Sequence, residues 1–487
     1  MTESTTLDPA AVEPDIPEKA EPAKPRFDRS IVEGPLGRAV WKIAWPTILT
    51  NVIAGLQGMV DHVLVGNLVG YKANAAIGIS WQIFLLVIVF MSSLFMGMSV
   101  LVARFAGAGE KAKVDRAVYQ AFLTAVFIGL VIMAPLGYFL SPYLLDLVNA
   151  APNVKAEALP YLRVTFAFSI GLMIYFMTSG ALRSAGDART PMVLGLVMTL
   201  LNLGLNIVLI RGLGPVPAFG TLGSAIGTSI ATGTVGMYAV YKMWSGGWVV
   251  GFPRGVGWGP DWKVIRSLFK FGLPSGIQGI AMNLGGLFML AFIGSVTHGD
   301  AAQAAYAVGY GQLFLLVTWS SNGLMGASAA VAGQNLGAHQ PDRAFAAVNT
   351  AARFGLAGSA ILGIFFFFFP RLLLSVFGMT DPDAVSIGVQ LLRVLAFSGL
   401  FISVALTYTG GLQGSGDTKS PLYISIVSQV IIPLGICFVI KQMTTLEPIH
   451  IWIAILAGHM TRCGLSLARF LQGKWRTIAV DIEQTAA

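Results

Sequence analysis

Long apolar segments recur along the whole chain and constrain its fold more than any other feature. Each is close to the roughly 20 residues that an α-helix needs to cross the hydrocarbon core of a bilayer. The composition agrees, since 55% of the 487 residues are apolar and only 11% are charged, against about 25% charged residues in soluble domains. The runs lack the alternation of β-barrel strands. The sequence therefore predicts an all-α polytopic membrane protein.

The apolar segments fall into two sets of six. We place the first set at 41–67, 75–102, 117–140, 159–183, 191–210 and 222–244, and the second at 268–296, 304–332, 345–369, 386–412, 421–440 and 450–472. A stretch rich in Gly and Pro separates the sets and is typical of a linker. The predicted units are a disordered cytoplasmic tail (1–36), a first six-helix lobe (37–244), a cytoplasmic linker (245–263), a second six-helix lobe (264–472) and a cytoplasmic tail (473–487).

An internal repeat relates the two sets at an offset of 230 residues. The stretch 182–191 recurs as 412–421, and Gly107-Ala108 recurs as Gly337-Ala338. Each repeat holds an even number of segments, so both halves enter the membrane from the same side. We therefore expect two six-helix lobes related by a pseudo-two-fold axis along the membrane normal, with a cavity between them near the midplane. The repeated Gly-Asp-x-x-Ser/Thr-Pro sequence within 182–191 and 412–421 is predicted to be a structural turn before a helix.

Loop charges predict the orientation of the chain. Basic residues concentrate in the loops after the even-numbered segments and beyond the last segment, including Lys111, Arg116, Lys263, Arg266 and Lys474. The positive-inside rule then places both termini in the cytoplasm.

The net charge of +8 is distributed over these loops, so a nucleic-acid-binding groove is not expected. The first 36 residues are polar, acidic and rich in Pro, which argues against a signal peptide and favours disorder.

Asp61 is the acid that stands out, because the first apolar segment surrounds it. Between residues 40 and 60 the only charged residue is Lys42, and no second acid lies inside any of the twelve segments. An ionised carboxylate in hydrocarbon costs about 2.5–3.5 kcal/mol on insertion scales. Asp61 must therefore face water or lose its charge, and we predict that it binds and releases a cation. The neighbouring His62 is expected to face another surface, about 100° away on the helix.

Other candidate groups are few. Asn202 and Asn206 share a helix face, where amides serve equally well as interhelical hydrogen-bonding groups or as ion ligands. His459 and Arg462 form a strongly polar pair in the last segment and could line the cavity, although a basic residue there would repel cations. Cys437 and Cys463 both lie in apolar segments, and no Cys/His cluster has metal-ligand spacing. We expect no disulfide and no cofactor, and no bound metal unless the cation at Asp61 is sodium.

Several sequence motifs, taken in order, resemble those of the multidrug and toxic compound extrusion (MATE) transporters. The resemblance covers roughly residues 35–472. It rests on Trp45-Pro46, Val60-Asp61, Val65-Gly66, the loop 182–191, the stretch 202–206, Gly223-Ser224-Ala225-Ile226-Gly227-Thr228, Phe271-Gly272-Leu273-Pro274 and Gly333-Gln334-Asn335-Leu336-Gly337-Ala338. The resemblance implies a secondary efflux antiporter that exchanges protons or sodium ions for organic, often cationic, compounds.

The resemblance also implies a cation site in the first lobe, made in one branch of the family by residues matching Asp61, Asn206 and Thr228. That branch has a second acid in segment 5, where this chain has Ile210. A hard cation such as sodium favours several oxygen ligands, whereas one carboxylate suffices for a proton. We therefore favour protons over sodium as the coupling ion.

Met and aromatic residues are expected to line part of the cavity, since such surfaces adapt to varied ligands. The candidates are Tyr175, Met282, Tyr310 and Trp319, together with the polar residue Asn202. We expect a monomer in the inner (cytoplasmic) membrane that binds small organic substrates. The alternatives are a flippase for a lipid-linked precursor, which would need more basic residues in its cavity, and an integral membrane enzyme, which would need convergent catalytic groups.

Overall fold

A computed structural model describes residues 27–253 and 258–480, apart from some side chains between Met59 and Ser92. Twelve long helical segments follow one another in it. They are α1 (Leu36–Leu68), α2 (Tyr71–Ala108), α3 (Lys111–Leu147), α4 (Pro152–Ala167 and Ser169–Ser184), α5 (Arg189–Arg211), α6 (Gly220–Ser245), α7 (Trp262–Gly294), α8 (Gly299–Gly337), α9 (Pro341–Phe368), α10 (Pro382–Ser415), α11 (Lys419–Met443) and α12 (Pro448–Leu471).

The helices have the length and composition of membrane spans. Within the described residues, nine are long and apolar enough to cross a bilayer, and α4, which bends by 50° between its two parts, makes a tenth. The helices α2 and α6 complete the set of twelve, and the described residues contain no strand. The prediction of an all-α protein with twelve segments in two six-helix lobes is confirmed.

Reciprocal contacts between α2 and α8 reveal the pseudo-two-fold axis. A Cβ added at Gly107 would collide with the carbonyl oxygen of Gln334, and one added at Gly337 would collide with the carbonyl oxygen of Arg104. The offset of 230 relates Gly107 to Gly337 and Arg104 to Gln334. The same contact is therefore made twice, once from each lobe, and it requires residues without a side chain at both positions.

Two further helix pairs hold the lobes together. A Cβ at Gly272 of α7 would lie 2.9 Å from the carbonyl carbon of Ser93 in α2, and one at Gly323 of α8 would lie 2.8 Å from the backbone nitrogen of Ile48 in α1. These contacts lie toward the ends of α2, α7 and α8 that adjoin the basic loops. The lobes thus pack closely together on the side that the sequence predicts to be cytoplasmic.

The repeated Gly-Asp turns serve a structural purpose. The Asp187 carboxylate accepts hydrogen bonds from the backbone N–H groups of Arg189 and Thr190, at 3.1 and 3.0 Å, at the start of α5. Asp417 accepts one from the backbone N–H of Ser420 at 3.2 Å, at the start of α11. The preceding glycines have φ angles of +100° and +98°, a region that strongly favours glycine. Both turns therefore cap the helix that follows.

Segments that the sequence assigns to tails are packed where the structure describes them. In the predicted tail 1–36, residues 30–33 form one helical turn, and the fully buried Ile31 packs against both lobes. In the predicted tail 473–487, Trp475 is buried and stacks on Phe470 with ring centroids 4.7 Å apart. The composition of residues 1–36 predicted disorder, but Ile31 and Val32 are buried there, and Trp475 and Val480 are buried in the segment after α12. Residues 1–26 and 481–487 of these tails lie outside the described residues.

The inter-lobe linker docks on the start of α3. The Tyr119 hydroxyl donates to the carbonyl of Trp258 at 2.9 Å, and the Gln120 amide bonds to the carbonyl of Gly259 at 3.0 Å. Arg116 forms an ion pair with Asp261, whose carboxylate also caps α7. The linker therefore joins α7, in the second lobe, to the first lobe through specific polar contacts.

The Asp261 contact predicts a pH-dependent stability. Partial burial would raise the pKa of the Asp261 carboxyl, but the hydrogen bond from Arg116, the backbone N–H groups of Val264 and Lys263 and the Arg116 charge hold its pKa below the usual 3.8. A lowered pKa in the folded state stabilises that state above the unfolded pKa, and the stabilisation is lost as the pH falls through the folded value. We expect Asp261→Asn to lower the melting temperature by a few degrees at neutral pH, and we expect this difference to disappear as the pH falls through the lowered pKa of Asp261.

Intrinsic fluorescence of the purified protein at stepped pH values measures this difference. Asp300→Asn is the matched control, because Asp300 is an exposed acid in the first turn of α8. Equal melting temperatures of wild type and Asp261→Asn at neutral pH would contradict the prediction.

Candidate functional site

Asp61 lies in α1 and meets α5 at a polar contact inside the first lobe. The amide nitrogen of Asn206, a fully buried residue of α5, donates to the Asp61 carboxylate at 2.9 Å. The structure thus brings together two of the residues predicted for the cation site. The side chain of His62 is not among those that the structure describes, so its orientation stays a prediction.

Asn202 and Thr228 extend the contact to α6. The oxygen and nitrogen of the Asn202 amide satisfy more partners when they are exchanged: the oxygen then accepts from the Thr228 hydroxyl at 2.9 Å and the nitrogen donates to Asp61 at 3.3 Å. Amide orientations are assigned from hydrogen bonding in this way. Asp61, Asn202, Asn206 and Thr228 therefore form one network across α1, α5 and α6.

Two further residues complete the network. The Gln57 amide lies 3.0 Å from the Asn202 amide, and the Thr199 hydroxyl lies 2.7 Å from the Gln57 side-chain oxygen. Sequence reasoning did not select Gln57 or Thr199. Their spacing could have indicated a place in the network. Gln57 precedes Asp61 by four residues and Thr199 precedes Asn202 by three, and residues at these spacings share a helix face.

The two polar atoms of the Asn206 amide have different surroundings. Its amide oxygen is buried and accepts no hydrogen bond within the described residues. This oxygen rests against Gly227 of α6, where an added Cβ would overlap it. The Asn206 amide thus sits between a carboxylate on its nitrogen side and a glycine backbone on its oxygen side.

The side chains that the structure describes at this site comprise one acid, Asp61, among neutral polar groups. Among the described residues, no group of three or more His, Cys, Asp or Glu side chains converges as a metal site would require. Ile210, at the position of the family's second acid, is buried in an apolar cluster with Val65 and Ala225. Tyr161 of α4 lies near enough to interact electrostatically with Asp61. The arrangement can hold one carboxyl group and respond to its charge.

The five predicted cavity residues lie in different parts of the molecule. Tyr175 is buried inside the first lobe among α5 residues, and Asn202 belongs to the network around Asp61. Tyr310 stacks on Tyr306 inside the second lobe, with centroids 4.9 Å apart. Met282 is partly buried in α7. Trp319 lies at the lobe boundary, where its ring fills the space beside Gly55. Their role in a shared cavity stays a prediction.

A separate apolar groove of about 600 Å³ follows the boundary between the lobes. It lies between α1 and α8–α10 and is lined by residues including Trp41, Ile48, Leu324 and Phe354, but by none of the five cavity candidates.

The family model described as MatE matches residues 46–208 and 274–439, more than half of the chain. The chain is 28% identical over 447 residues to the probable multidrug resistance protein NorM of Thermotoga maritima, covering 90% of this chain and 93% of that one. It is 24% identical over 455 residues to the multidrug resistance protein MdtK of Pectobacterium atrosepticum, covering 89% and 95%.

Solved structures share the fold. One describes the outward-facing conformation of a multidrug resistance MATE family transporter of the MOP superfamily, and it matches with a TM-score of 0.84 at 20% identity over 94% of this chain and 98% of that one. A MOP superfamily transporter from Pyrococcus furiosus, described by the reverse polarity of its binding pocket, matches with a TM-score of 0.84 at 21% identity and the same coverage.

The Gly227 contact gives a test of the site's packing. Gly227→Ala places a methyl group where the Asn206 oxygen lies, and overpacking of this kind typically costs about 1–3 kcal/mol. We expect a lower melting temperature and weaker coupled transport. Gly233→Ala, six residues further along α6 with no atom within 4 Å of an added Cβ, is the control and should be neutral or slightly stabilising. Equal behaviour of the two variants would mean that Asn206 is not held by Gly227.

Proposed function

The chain belongs to the MatE family, and we propose that it is a secondary active multidrug efflux antiporter that exchanges protons for organic cations. Relatives named as multidrug resistance proteins match about 90% of the chain, and family members are transporters rather than enzymes. The chain is thus a multi-pass membrane protein. The observation that carries the proposal is the single carboxylate of Asp61, held by neutral amides between α1, α5 and α6.

The direction of the amide groups supports protons over sodium. Asn206 presents its nitrogen to Asp61, and so does Asn202 in its better orientation. A sodium ion at Asp61 would need the oxygens of these amides instead, by analogy with other hard cations. The Asn206 oxygen faces Gly227 and the Asn202 oxygen faces Thr228. The amide N–H donors hold the ionised carboxylate, which is one of the two charge states that a proton-coupled acid must adopt.

A change of protonation at Asp61 has a direct consequence for Asn206. A protonated carboxyl donates one hydrogen bond and needs an acceptor. The Asn206 amide oxygen accepts no hydrogen bond from any side chain or backbone group that the structure describes, so half a turn of this amide would supply that acceptor. The amide nitrogen would then face Gly227. Protonation would in this way alter how α1 packs against α5 and α6.

In alternating access the protein exchanges between two arrangements of the lobes, and transport is driven by a change in the relative free energies of these arrangements. In the structure the lobes meet closely on the side of the basic loops, which we assign to the cytoplasm. Opening that side requires the glycine contacts of α2 with α8 to separate. A proton can drive the exchange only through its different affinity for the two arrangements. A one-for-one exchange of a proton for a monovalent organic cation moves no net charge, so the pH gradient drives it. Each pH unit supplies about 1.4 kcal/mol, enough for roughly a tenfold substrate gradient.

We further propose the charge of the substrate, the oligomeric state and the location of the protein. A negative Asp61 attracts cationic compounds, and the proposed protein works as a monomer in the cytoplasmic membrane with both termini inside. It requires no cofactor and no nucleic acid. The coupling ion is a proton.

Substrate exchange in proteoliposomes tests the proposal. Wild type and Asp61→Asn are compared with a pH gradient and a sodium gradient imposed separately, using a fluorescent organic cation. We expect the pH gradient alone to drive exchange by the wild type, and Asp61→Asn to lose nearly all driven exchange while it remains monodisperse. Asp300→Asn, which removes an exposed acid of α8, should behave as wild type.

Two results would overturn parts of the proposal. Exchange driven only by sodium and abolished in Thr228→Val would make Asp61 and Thr228 sodium ligands and exclude proton coupling. Normal driven exchange by Asp61→Asn would show that Asp61 does not couple transport at all.

A further inference from the structure

The apolar groove between the lobes plays no part in the proposed proton site, and its length matches one leaflet of a bilayer. It has a volume of about 600 Å³ and lies between α1 of the first lobe and α8–α10 of the second. Gly37 and Ile48 of α1 both line it, and this separation along the helix corresponds to about 17 Å. Half of the hydrocarbon core of a bilayer is about 15 Å thick. The groove therefore extends from the side of the basic loops to about the midplane.

The groove opens to the surrounding membrane. Trp41 and Ile361, which both line it, are 50% and 58% exposed. Near its start the Trp41 ring meets Phe354 edge-to-face across the lobe boundary, with centroids 5.7 Å apart. An empty space beside such side chains would forfeit their dispersion contacts. An acyl chain of the surrounding lipid has the shape and chemistry to fill it.

The walls of the groove suit an acyl chain better than an organic cation. The hydroxyls of Ser320, Ser321 and Ser359 each donate to the carbonyl group four residues earlier in their own helix, at 2.8, 2.7 and 2.7 Å. These serines therefore leave no unsatisfied donor in the groove. Among the described residues that line it, none is Asp or Glu. A cationic substrate would find no counter-charge there.

The corresponding space in the first lobe is filled. The offset of 230 relates Gly358 of α9, which lines the groove, to Ile128 of α3. It relates Ser403 of α10, which also lines the groove, to Met173 of α4. Ile128 and Met173 belong to one buried apolar cluster that also contains Leu268 of α7. The second lobe thus leaves open, through smaller side chains, a space that the first lobe packs.

A positive charge lies at the end of the groove nearest the basic loops. Arg38 lines the groove and is exposed in the first turn of α1. The acids closest to it in sequence are already paired, Asp28 with Lys42 and Glu33 with Arg29. Within the described residues Arg38 forms no ion pair, so its charge is available to an anion.

A second arginine adds to this charge. Arg353 of α9 is exposed and directly precedes Phe354 of the groove, whereas the offset of 230 places Leu123 at its position in the first lobe. A Cβ added at Gly37 would lie 3.8 Å from the Phe354 ring, so Arg38 and Arg353 lie at similar depths in the membrane. A phospholipid whose chain fills the groove places its headgroup at this depth.

We propose that the groove binds an anionic phospholipid of the leaflet on the side of the basic loops. One acyl chain occupies the groove, and the phosphate group binds Arg38 through charge-assisted hydrogen bonds, while Arg353 strengthens the attraction. Because the walls come from both lobes, the lipid stabilises this arrangement of the lobes against one in which α1 separates from α8–α10. The site is independent of the ion that drives transport.

Native mass spectrometry of the purified full chain tests the proposal by measuring the binding of the first lipid molecule. The probes are phosphatidylglycerol, which is anionic, and phosphatidylcholine, which is zwitterionic, with identical acyl chains. We expect the wild type to bind phosphatidylglycerol at least about fivefold more tightly, which is the effect of one basic residue close to an anionic headgroup.

Two variants separate the groove from its charge. Gly358→Ile gives the groove the side chain of Ile128, and it should weaken the binding of both lipids at least about tenfold, because it displaces methylene groups of the acyl chain. An added Cβ at Gly358 meets no atom within 4 Å, so the fold accommodates the change. The double variant Arg38→Gln/Arg353→Gln should bind both lipids equally.

Matched controls lie elsewhere on the same molecule. Gly464→Ile changes an exposed glycine of α12 whose added Cβ also meets no atom within 4 Å. The double variant Arg189→Gln/Lys419→Gln removes two exposed basic residues at the starts of α5 and α11. Both controls should bind the two lipids as the wild type does.

Equal affinities of the wild type for the two lipids would overturn the proposal, and so would unchanged lipid binding by Gly358→Ile. A dimer that Gly358→Ile dissociates would make a second copy of the chain the occupant, and displacement of the lipid by tetraphenylphosphonium would make a substrate the occupant. Either result would also overturn it. If the double arginine variant does not fold, Gly358→Ile still decides the outcome.

Failure of the lipid site and failure of the antiport mechanism give different results. Asp61→Asn should bind both lipids as the wild type does, whatever its effect on driven exchange. Gly358→Ile should lose the lipid while the network around Asp61 remains intact, because the groove and the network share no residue.

Discussion

The close backbone approach of α2 and α8 is the contact on which the arrangement of the two lobes depends. Helices in a bilayer gain little from hiding apolar surface from lipid, so their association relies on packing between small residues. Gly107 and Gly337 provide such packing, each against a carbonyl group of the other lobe. Because the contact is reciprocal, each half of the chain must carry the same glycine, which gives a physical reason for the repeat of Gly-Ala at an offset of 230.

The two lobes share a scaffold but differ in the charge that they bury. In the first lobe an acid of α1 meets amides of α5. In the second lobe the basic groups of α12 occupy the interior. The offset of 230 relates Thr228 to Gly458, so His459 comes directly after the position that holds a hydroxyl in the first lobe. Duplication thus preserved the helices and their turns, whereas the buried polar residues diverged.

The sequence was informative wherever the physical cause is local. Apolar length defines the twelve segments, and the Gly-Asp turns are recognisable because glycine and a capping acid act within four residues. The pairing of Asp61 with Asn206 required the family resemblance, since the two residues are 145 positions apart. Gln57 and Thr199 were not found, because their contacts with the site arise only when α1 and α5 pack. The position of the predicted cavity residues relative to one another depends on the packing of both lobes, which no local pattern encodes.

The segment after α12 joins the two lobes at their closed face. Arg104 of α2 donates to the carbonyl of Ser415, at the end of α10, and to that of Ile478, at 3.3 and 3.2 Å. Val480 packs against Gly416 and belongs to the core of the first lobe. Because this segment follows the twelfth helix along the chain, it can dock only after both lobes have been inserted. Until this segment has been synthesised, the closed face can be held only by contacts between the helices themselves.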